Sequence, residues 1–209
     1  NHIRIKDFLQ KWDSEVLRLS YIQNHYSSNI DFSETVFRNS RKRLYYYYQT
    51  LKQLDYQAES TQILLNSNKE IQNFFQAFHL AMSDDFNTAQ TLGEINKFVR
   101  FANKLLQKPS KENKEKYFLI SYSLREVGKV LGLFQQNPDS FIRKNNSNIL
   151  KDINISEQEI ELSISQRSEA RKNKQWELSD QIRDKLLSKG ILLQDTHEKT
   201  IWLLKDILD

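Results

Sequence analysis

Cysteine is absent from the 209-residue sequence, and glycine and proline are scarce, at four and two residues. The absence of cysteine excludes disulfides, thiol catalysis and cysteine-ligated zinc sites. Because tight hairpin turns and glycine-rich phosphate loops need glycine, its scarcity disfavours a mainly β fold and a nucleotide-binding domain. The class that remains is a mainly helical protein.

Long apolar runs are also lacking. None approaches the roughly 20 residues that a membrane-spanning helix needs, and charged residues interrupt the N-terminus where a signal peptide would be apolar. We therefore expect a cytoplasmic chain without a membrane partner. The sequence begins on Asn1 rather than methionine, which is compatible with a piece of a longer protein. A net charge of +4 permits an anionic partner without requiring one.

Apolar residues at three–four spacing predict an antiparallel helical bundle over residues 33–136, after a connector of residues 1–32. One predicted helix contains four consecutive tyrosines, Tyr45–Tyr48, which point in all directions around a helix, so one or two must be exposed. Basic residues precede them on the side assigned to solvent. Those residues are either a phosphate-facing patch or a plain solvated face. The phosphate candidates are Arg38, Arg41 and Lys42.

Residues 137–154 are polar and include Pro138, a composition typical of a linker. We therefore predict that the bundle ends at 136 and that a small α+β domain occupies residues 155–209. Ser156 and Glu159 have the capping-box spacing that begins a helix. Two short apolar segments near the C-terminus predict a β-hairpin, Ile191–Leu193 and Thr200–Leu204.

The most informative stretch runs from Ile164 to Trp202 and contains two predicted short helices before the hairpin. Its residues 167–189 hold seven Lys and Arg against four Asp and Glu, and Trp176 begins the second helix. A cationic surface with an exposed indole suits the phosphates and unstacked bases of single-stranded RNA. The alternative is a solvated helical hairpin whose indole belongs to the core.

Catalytic patterns are missing. The four histidines are scattered without metal-ligand spacing, and no phosphate-binding loop or nucleophile elbow is present. Asp84 and Asp85 are adjacent carboxylates that suit a metal or acid–base pair, but Asn87 follows them, and loop and cap chemistry is the simpler interpretation. We expect no catalytic residue, no metal site and no cofactor in this chain.

Three stretches, in order and over essentially the whole chain, resemble the bacterial cysteinyl-tRNA synthetases. Ile5–Ser33 resembles the segment that follows the family's K-M-S-K-S signature, and Ala81–Thr88 (AMSDDFNT) resembles its A-M-D-D-D-F-N-T. Arg167–Trp202 resembles the R-x-x-A-R-x-x-K-x-W-x-x-A-D-x-I-R-D-x-L pattern of the C-terminal domain and its following G-I-x-L-x-D…T-x-W.

The resemblance implies a class I synthetase anticodon-binding bundle and a small C-terminal domain that together bind tRNA(Cys). The catalytic domain of the family, which uses ATP and zinc to attach cysteine to tRNA, is expected upstream of Asn1. This chain alone is then inactive, is monomeric, and has the missing catalytic domain as a second partner. The alternatives are a helical-bundle scaffold and an RNA-binding module without a role in aminoacylation.

Carried over residue by residue, the resemblance assigns anticodon contacts to Arg171, Asp180 and Asp195 and base stacking to Trp176. The family's anticodon is GCA: Asp180 with Arg171 suits its guanine, and Asp195 suits the exocyclic amine of its cytosine. Each assignment has an alternative, namely a solvated charge, an ion pair along the helix or a turn-forming residue. Further phosphate contacts are predicted for Lys172, Lys174 and Lys199, the last replacing a family glycine.

Overall fold

The chain forms nine α-helices followed by two β-strands within the residues that the computed structural model describes, 4–54, 68–108, 113–196 and 199–205. The predicted mainly helical class with a C-terminal hairpin is confirmed. The elements are α1 (Ile5–Lys11), α2 (Ser14–Ile22), α3 (Glu34–Leu54), α4 (Lys69–Ser83), α5 (Thr88–Leu106), α6 (Lys114–Leu131), α7 (Pro138–Asp152), α8 (Glu157–Lys172), α9 (Trp176–Ser188), β1 (Ile191–Asp195) and β2 (Thr200–Leu204).

Several helices begin where the sequence has a capping residue. The Asn87 side chain accepts a hydrogen bond from the Gln90 amide at 3.0 Å and begins α5. At α8 the capping box is complete, because the Ser156 hydroxyl accepts from the Glu159 amide and the Glu159 carboxylate accepts from the Ser156 amide. Both N-terminal signals were local in sequence, and both predictions are confirmed.

The chain divides into two units, Asn1–Ile142 and Arg143–Asp209. In the first unit α2 packs on α3, α4 packs on α5, and α6 contacts α3, α4 and α5. Apolar side chains from all of these helices form one core, to which α3 contributes Tyr47 and Tyr48. Of the four consecutive tyrosines only Tyr46 is exposed, at 42% of its surface, as the helical geometry requires.

The predicted linker at residues 137–154 is wrong, since Pro138–Asp152 is the helix α7. Phe141, Asn145 and Ile149 are buried at spacings of four, so they share one helical face. Asn145 stands in the middle of that face and interrupts its apolar period, which is why the composition indicated a linker. The division between the two units falls inside α7, at Ile142.

In the second unit α8 packs on α9, and α9 packs on β1. The two strands pair antiparallel, with Leu193 opposite Trp202. Gly190 joins α9 to β1 at a φ of 81°, a left-handed conformation in which a side chain would be strained. The second core is made by Ile149, Leu150, Ile155, Ile160, Leu186, Ile191, Leu193 and Leu204.

No helix in the described ranges is both long enough and apolar enough to cross a membrane.

Candidate nucleic-acid interface

The turn between α8 and α9 brings the predicted RNA-binding residues of the second unit onto one surface. The Gln175 amide donates to the Ala170 carbonyl at 2.8 Å, and the Lys174 amide donates to the Arg171 carbonyl at 3.1 Å. Lys174 has a φ of 60°, which a non-glycine residue adopts only at a cost in conformational energy. These bonds close the turn so that α9 begins at Trp176.

Trp176 is 58% exposed, although it is the largest apolar side chain of the turn. Within the described residues its ring has no aromatic or cationic partner. The interpretation of this indole as a core residue is therefore wrong. A large exposed ring at the start of a helix offers a flat face on which a nucleic-acid base can stack.

Asp180 lies four residues after Trp176, so both side chains are on the same face of α9. Asp180 is exposed, and no described residue forms an ion pair or hydrogen bond with its carboxylate. The pairing with Arg183 that was an alternative for this residue is not formed. The carboxylate keeps its full capacity to accept hydrogen bonds from a ligand.

Asp195 is bound by three donor residues. Arg167 binds it with two parallel bonds, Nη1 to Oδ1 at 3.0 Å and Nη2 to Oδ2 at 3.1 Å. Arg171 Nη1 donates to Oδ2 at 3.0 Å, and the Thr200 hydroxyl donates to Oδ1 at 2.7 Å. The hydrogen bonds from Arg167 and then Thr200 hold the pKa of Asp195 well below its usual range. Each carboxylate oxygen thus accepts two bonds, which occupies its lone pairs.

Arg167 was not among the predicted site residues. It is 6% exposed, and its Nε is buried without a hydrogen-bond partner in the described part of the chain. Its spacing of four from Arg171 on α8 is a sequence signal that both guanidinium groups face the same way. The partner that gives the pair its role, Asp195, is 28 residues from Arg167 and was not predictable from that spacing.

We expect Arg167→Met to loosen the hairpin by about 1–2 kcal/mol, because it removes a buried, bidentate, charge-assisted interaction and keeps the alkyl stem. Amide hydrogen exchange of β1 and β2 measures the effect. Arg171→Met is the matched control, since it removes one exposed bond to the same carboxylate and should have a smaller effect. Equal protection in both variants would show that Arg167 does not anchor Asp195.

The predicted phosphate contacts divide into two groups. Lys172, Lys174 and Lys199 are exposed in the second unit, and their ammonium groups have no partner among the described residues. In the first unit Arg38 is half-exposed and bonds to Glu34 at 2.8 Å, and Lys42 is partly buried. These positions remain predictions.

Arg41 is the exception among them. It is 2% exposed, and its guanidinium lies 4.9 Å from the centre of the Trp12 ring. A cation against an indole face is stabilised where it is, away from solvent. The prediction that Arg41 contacts phosphate is wrong, because its side chain is buried beside Trp12 rather than facing water.

The loop that carries the two adjacent carboxylates Asp84 and Asp85 lies within the described ranges. No group of three or more potential metal ligands occurs there. Of the two adjacent carboxylates considered in the sequence, Asp85 accepts the Tyr26 hydroxyl at 2.9 and 3.0 Å. With Asn87 capping α5, this loop has the structural role that the simpler interpretation gave it.

The chain is similar to known proteins over nearly all of its length. Residues 77–135 match the family described as the DALR domain. The cysteine–tRNA ligase of Thermodesulfovibrio yellowstonii is 37% identical over 98% of this chain and 43% of its own length. The corresponding ligases of Geobacter metallireducens and Acinetobacter baylyi are 36% and 30% identical, over 98% and 99% of this chain and 44% and 42% of their own lengths.

The resemblance to cysteine–tRNA ligases is confirmed. The chain spans less than half the length of the cysteine–tRNA ligases that it matches. The aligned part covers both units, because the matches extend over 98% or more of the sequence in each of these three relatives.

Proposed function

We propose that this chain is the tRNA-binding portion of a cysteine–tRNA ligase and that its second unit recognises the anticodon of tRNA(Cys). The observation that supports the proposal best is the pair Trp176 and Asp180. Both are exposed and without partners in the described part of the chain, they share one face of α9, and a cationic turn precedes them. A stacking ring beside a free carboxylate suits an unpaired guanine.

Guanine presents two neighbouring donors on its Watson–Crick edge, the ring N1–H and the exocyclic amine. A carboxylate can accept both at once, and no other base offers this pattern. We propose that Asp180 accepts this pair while Trp176 stacks on the base. The exposed ammonium groups of Lys172 and Lys174 then neutralise the flanking phosphates, which favours binding without selecting a base.

In this proposal Arg171 contacts the RNA first, and Asp195 contacts it only after Arg171 has moved away. In the free protein Arg171 Nη1 donates to Asp195 Oδ2, so that carboxylate has no free acceptor position, while the other N–H donors of Arg171 remain exposed. When Arg171 turns to guanine or to a phosphate, one acceptor position on Asp195 Oδ2 becomes available for the exocyclic amine of cytosine. Arg167, which is buried, stays in place and keeps the carboxylate oriented.

The activity of the complete ligase is part of the same proposal. A class I catalytic domain, with ATP and zinc as its cofactors, would attach cysteine to the tRNA in the cytoplasm, working as a monomer. We propose that the chain contributes tRNA affinity and anticodon selection, and that catalysis belongs to the rest of the ligase.

The test is the affinity of the purified chain for tRNA(Cys), for the same tRNA with its anticodon guanine replaced, and for an unrelated tRNA. The proposal expects tRNA(Cys) to bind most tightly, with the guanine-substituted tRNA at least about tenfold weaker. Equal affinity for all three would favour an RNA-binding module without a role in aminoacylation. No binding to any of them would favour a helical scaffold.

We expect the double substitution Lys172→Ala and Lys174→Ala to weaken binding of every tRNA alike. Fewer neutralised phosphates mean a weaker salt dependence, so the slope of log affinity against log salt should become shallower by about 1 for each lysine that binds a phosphate. Titrations at several salt concentrations measure this slope. Gln166→Ala, an exposed uncharged position earlier on α8, is the control and should leave the slope unchanged. A weakening that depends on the anticodon bases would contradict a phosphate role.

A further inference from the structure

A cleft in the first unit has the features of a second nucleotide site. It lies between α3 and α5, has a volume of about 400 Å³, and is lined by Tyr46, Gln49, Thr50, Gln53, Asn103, Leu106 and Gln107. The lining carries no charge and is made mostly of amide and hydroxyl groups. We call this region the Tyr46 cleft.

The Tyr46 ring is the exposed member of a run of four tyrosines whose other members are buried. Its orientation is fixed by neighbours, since the Asn103 amide donates to the Tyr46 hydroxyl at 2.8 Å. The same amide donates to the Thr50 hydroxyl at 3.0 Å. The ring is thus held at the wall of the cleft while part of its surface stays exposed, as a stacking surface should be.

The amides of the cleft supply the second element of a base site. Gln49 and Gln107 form no side-chain hydrogen bond with any described residue, so their donors and acceptors are available. A primary amide offers a donor and an acceptor side by side, the pattern that matches the edge of a base. Glutamines on both sides of the cleft therefore line a space that a base stacked on Tyr46 would occupy.

Positive charge lies at one end of the cleft. Arg43 is one helical turn before Tyr46 on α3, and Arg100 is one turn before Asn103 on α5. The bonds from Tyr47 to Asn96 and from Thr50 to Asn103 show that α3 and α5 run in the same direction, so both arginines lie toward the same end of the cleft. Neither has an ion-pair partner in the described ranges. An anionic group is attracted to this end.

We propose that the Tyr46 cleft binds one unstacked nucleotide of the RNA, with its base on the Tyr46 ring, its edge against the amides and its phosphate toward Arg43 and Arg100. This inference rests on the proposed tRNA-binding function and adds a contact outside the anticodon site. Uncharged amides beside a ring and two cations fit a nucleotide better than an acidic or apolar peptide, because a peptide leaves part of that set unused.

The experiment compares Tyr46→Ala and Tyr46→Phe in the whole chain, with tRNA(Cys) and its guanine-substituted form as probes. Tyr46→Ala should weaken both RNAs by about tenfold, because stacking is insensitive to the anticodon. Tyr46→Phe keeps the stacking ring but loses the hydrogen bond from Asn103, so it should lose much less affinity than Tyr46→Ala and stay within about twofold of wild type. Tyr21→Ala is the matched control, because Tyr21 is similarly exposed but lies on α2, outside the cleft lining.

Trp176→Ala distinguishes a failure of the Tyr46 cleft proposal from a failure of the proposed tRNA-binding function. If wild type binds tRNA(Cys), Trp176→Ala weakens it and Tyr46→Ala does not, the Tyr46 cleft is not an RNA site and the proposed function stands. If the wild-type chain binds no tRNA, both the Tyr46 cleft proposal and the proposed tRNA-binding function are wrong.

A photocrosslinking amino acid at position 46 gives an answer that does not depend on affinity. Crosslinking to the tRNA from position 46 but not from position 21 supports the cleft, and equal yields or none overturn it.

Discussion

Asp180→Ala should weaken binding of tRNA(Cys) by about ten- to a hundredfold and leave binding of the guanine-substituted tRNA almost unchanged. The exposed carboxylate is removed as a paired acceptor, and the two guanine donors are left without partners in the complex, which costs about 1–3 kcal/mol. The substituted tRNA lacks those donors and should be indifferent to the change. The measurement is the ratio of the two affinities for wild type and variant.

Asp184→Ala is the control for this experiment. Asp184 lies one turn farther along α9, is exposed, and carries the same charge, so its removal reproduces any general electrostatic gain for RNA. It should strengthen both tRNAs slightly and equally. If Asp180→Ala behaves like Asp184→Ala, or weakens both tRNAs by the same factor, Asp180 has no role in recognising guanine.

Glu15→Ala should destabilise the first unit by about 3 kcal/mol, because alanine leaves two buried donors and one partly buried donor without partners, and each buried one costs about 1–3 kcal/mol before relaxation. Glu15 is buried on α2, and its carboxylate accepts bonds from the Tyr48 hydroxyl at 2.9 Å and from the amides of Phe134 and Gln135 at 2.9 and 3.3 Å. Urea unfolding monitored by circular dichroism measures the change.

The pH dependence of this effect has a definite sign. Burial raises the pKa of Glu15 above its ordinary value, against the hydrogen bonds from Phe134 and Tyr48 that lower it. A carboxyl whose pKa is raised by folding stabilises the fold most below its unfolded pKa of about 4.5. That contribution is lost as the pH rises through the folded value.

Glu15→Gln cannot titrate, so its destabilisation relative to wild type should be largest in acid and shrink as the pH rises through that window. Glu94→Gln, at a surface ion pair with Lys97, should change stability by less than about 0.5 kcal/mol. A destabilisation by Glu15→Gln that grows with pH would contradict the direction assigned to the Glu15 pKa.

Features with local signals were predictable, and features made by distant residues were not. The capping box at Ser156 and the exposed member of the tyrosine run follow from spacings within one helix, and the helix starting at Trp176 follows the polar turn before it. Glu15, by contrast, binds amides 119 and 120 residues away. Arg41 looked like a solvated charge because nothing in the sequence places Trp12 beside it.

The candidate site also combines residues that the sequence identified with contacts that it could not predict. The motif pattern identified Arg171, Trp176, Asp180 and Asp195 as one group, and the exposure of Trp176 and Asp180 agrees with the sequence argument. The bond between Arg171 and Asp195 joins α8 to β1 and cannot be deduced from spacing. Sequence therefore supplies the chemical groups of the site, while tertiary structure decides which of them are free.

The saturated carboxylate of Asp195 also determines how the site responds to acidity. Its pKa is far below its usual range, and guanidinium groups keep their charge at any pH at which a protein is folded. The cluster therefore holds the same protonation state from mildly acid to mildly alkaline solution. In the proposed function, contacts through this cluster should therefore not depend on pH over that range, and acid-sensitive RNA binding would have to originate in another part of the chain or in the RNA.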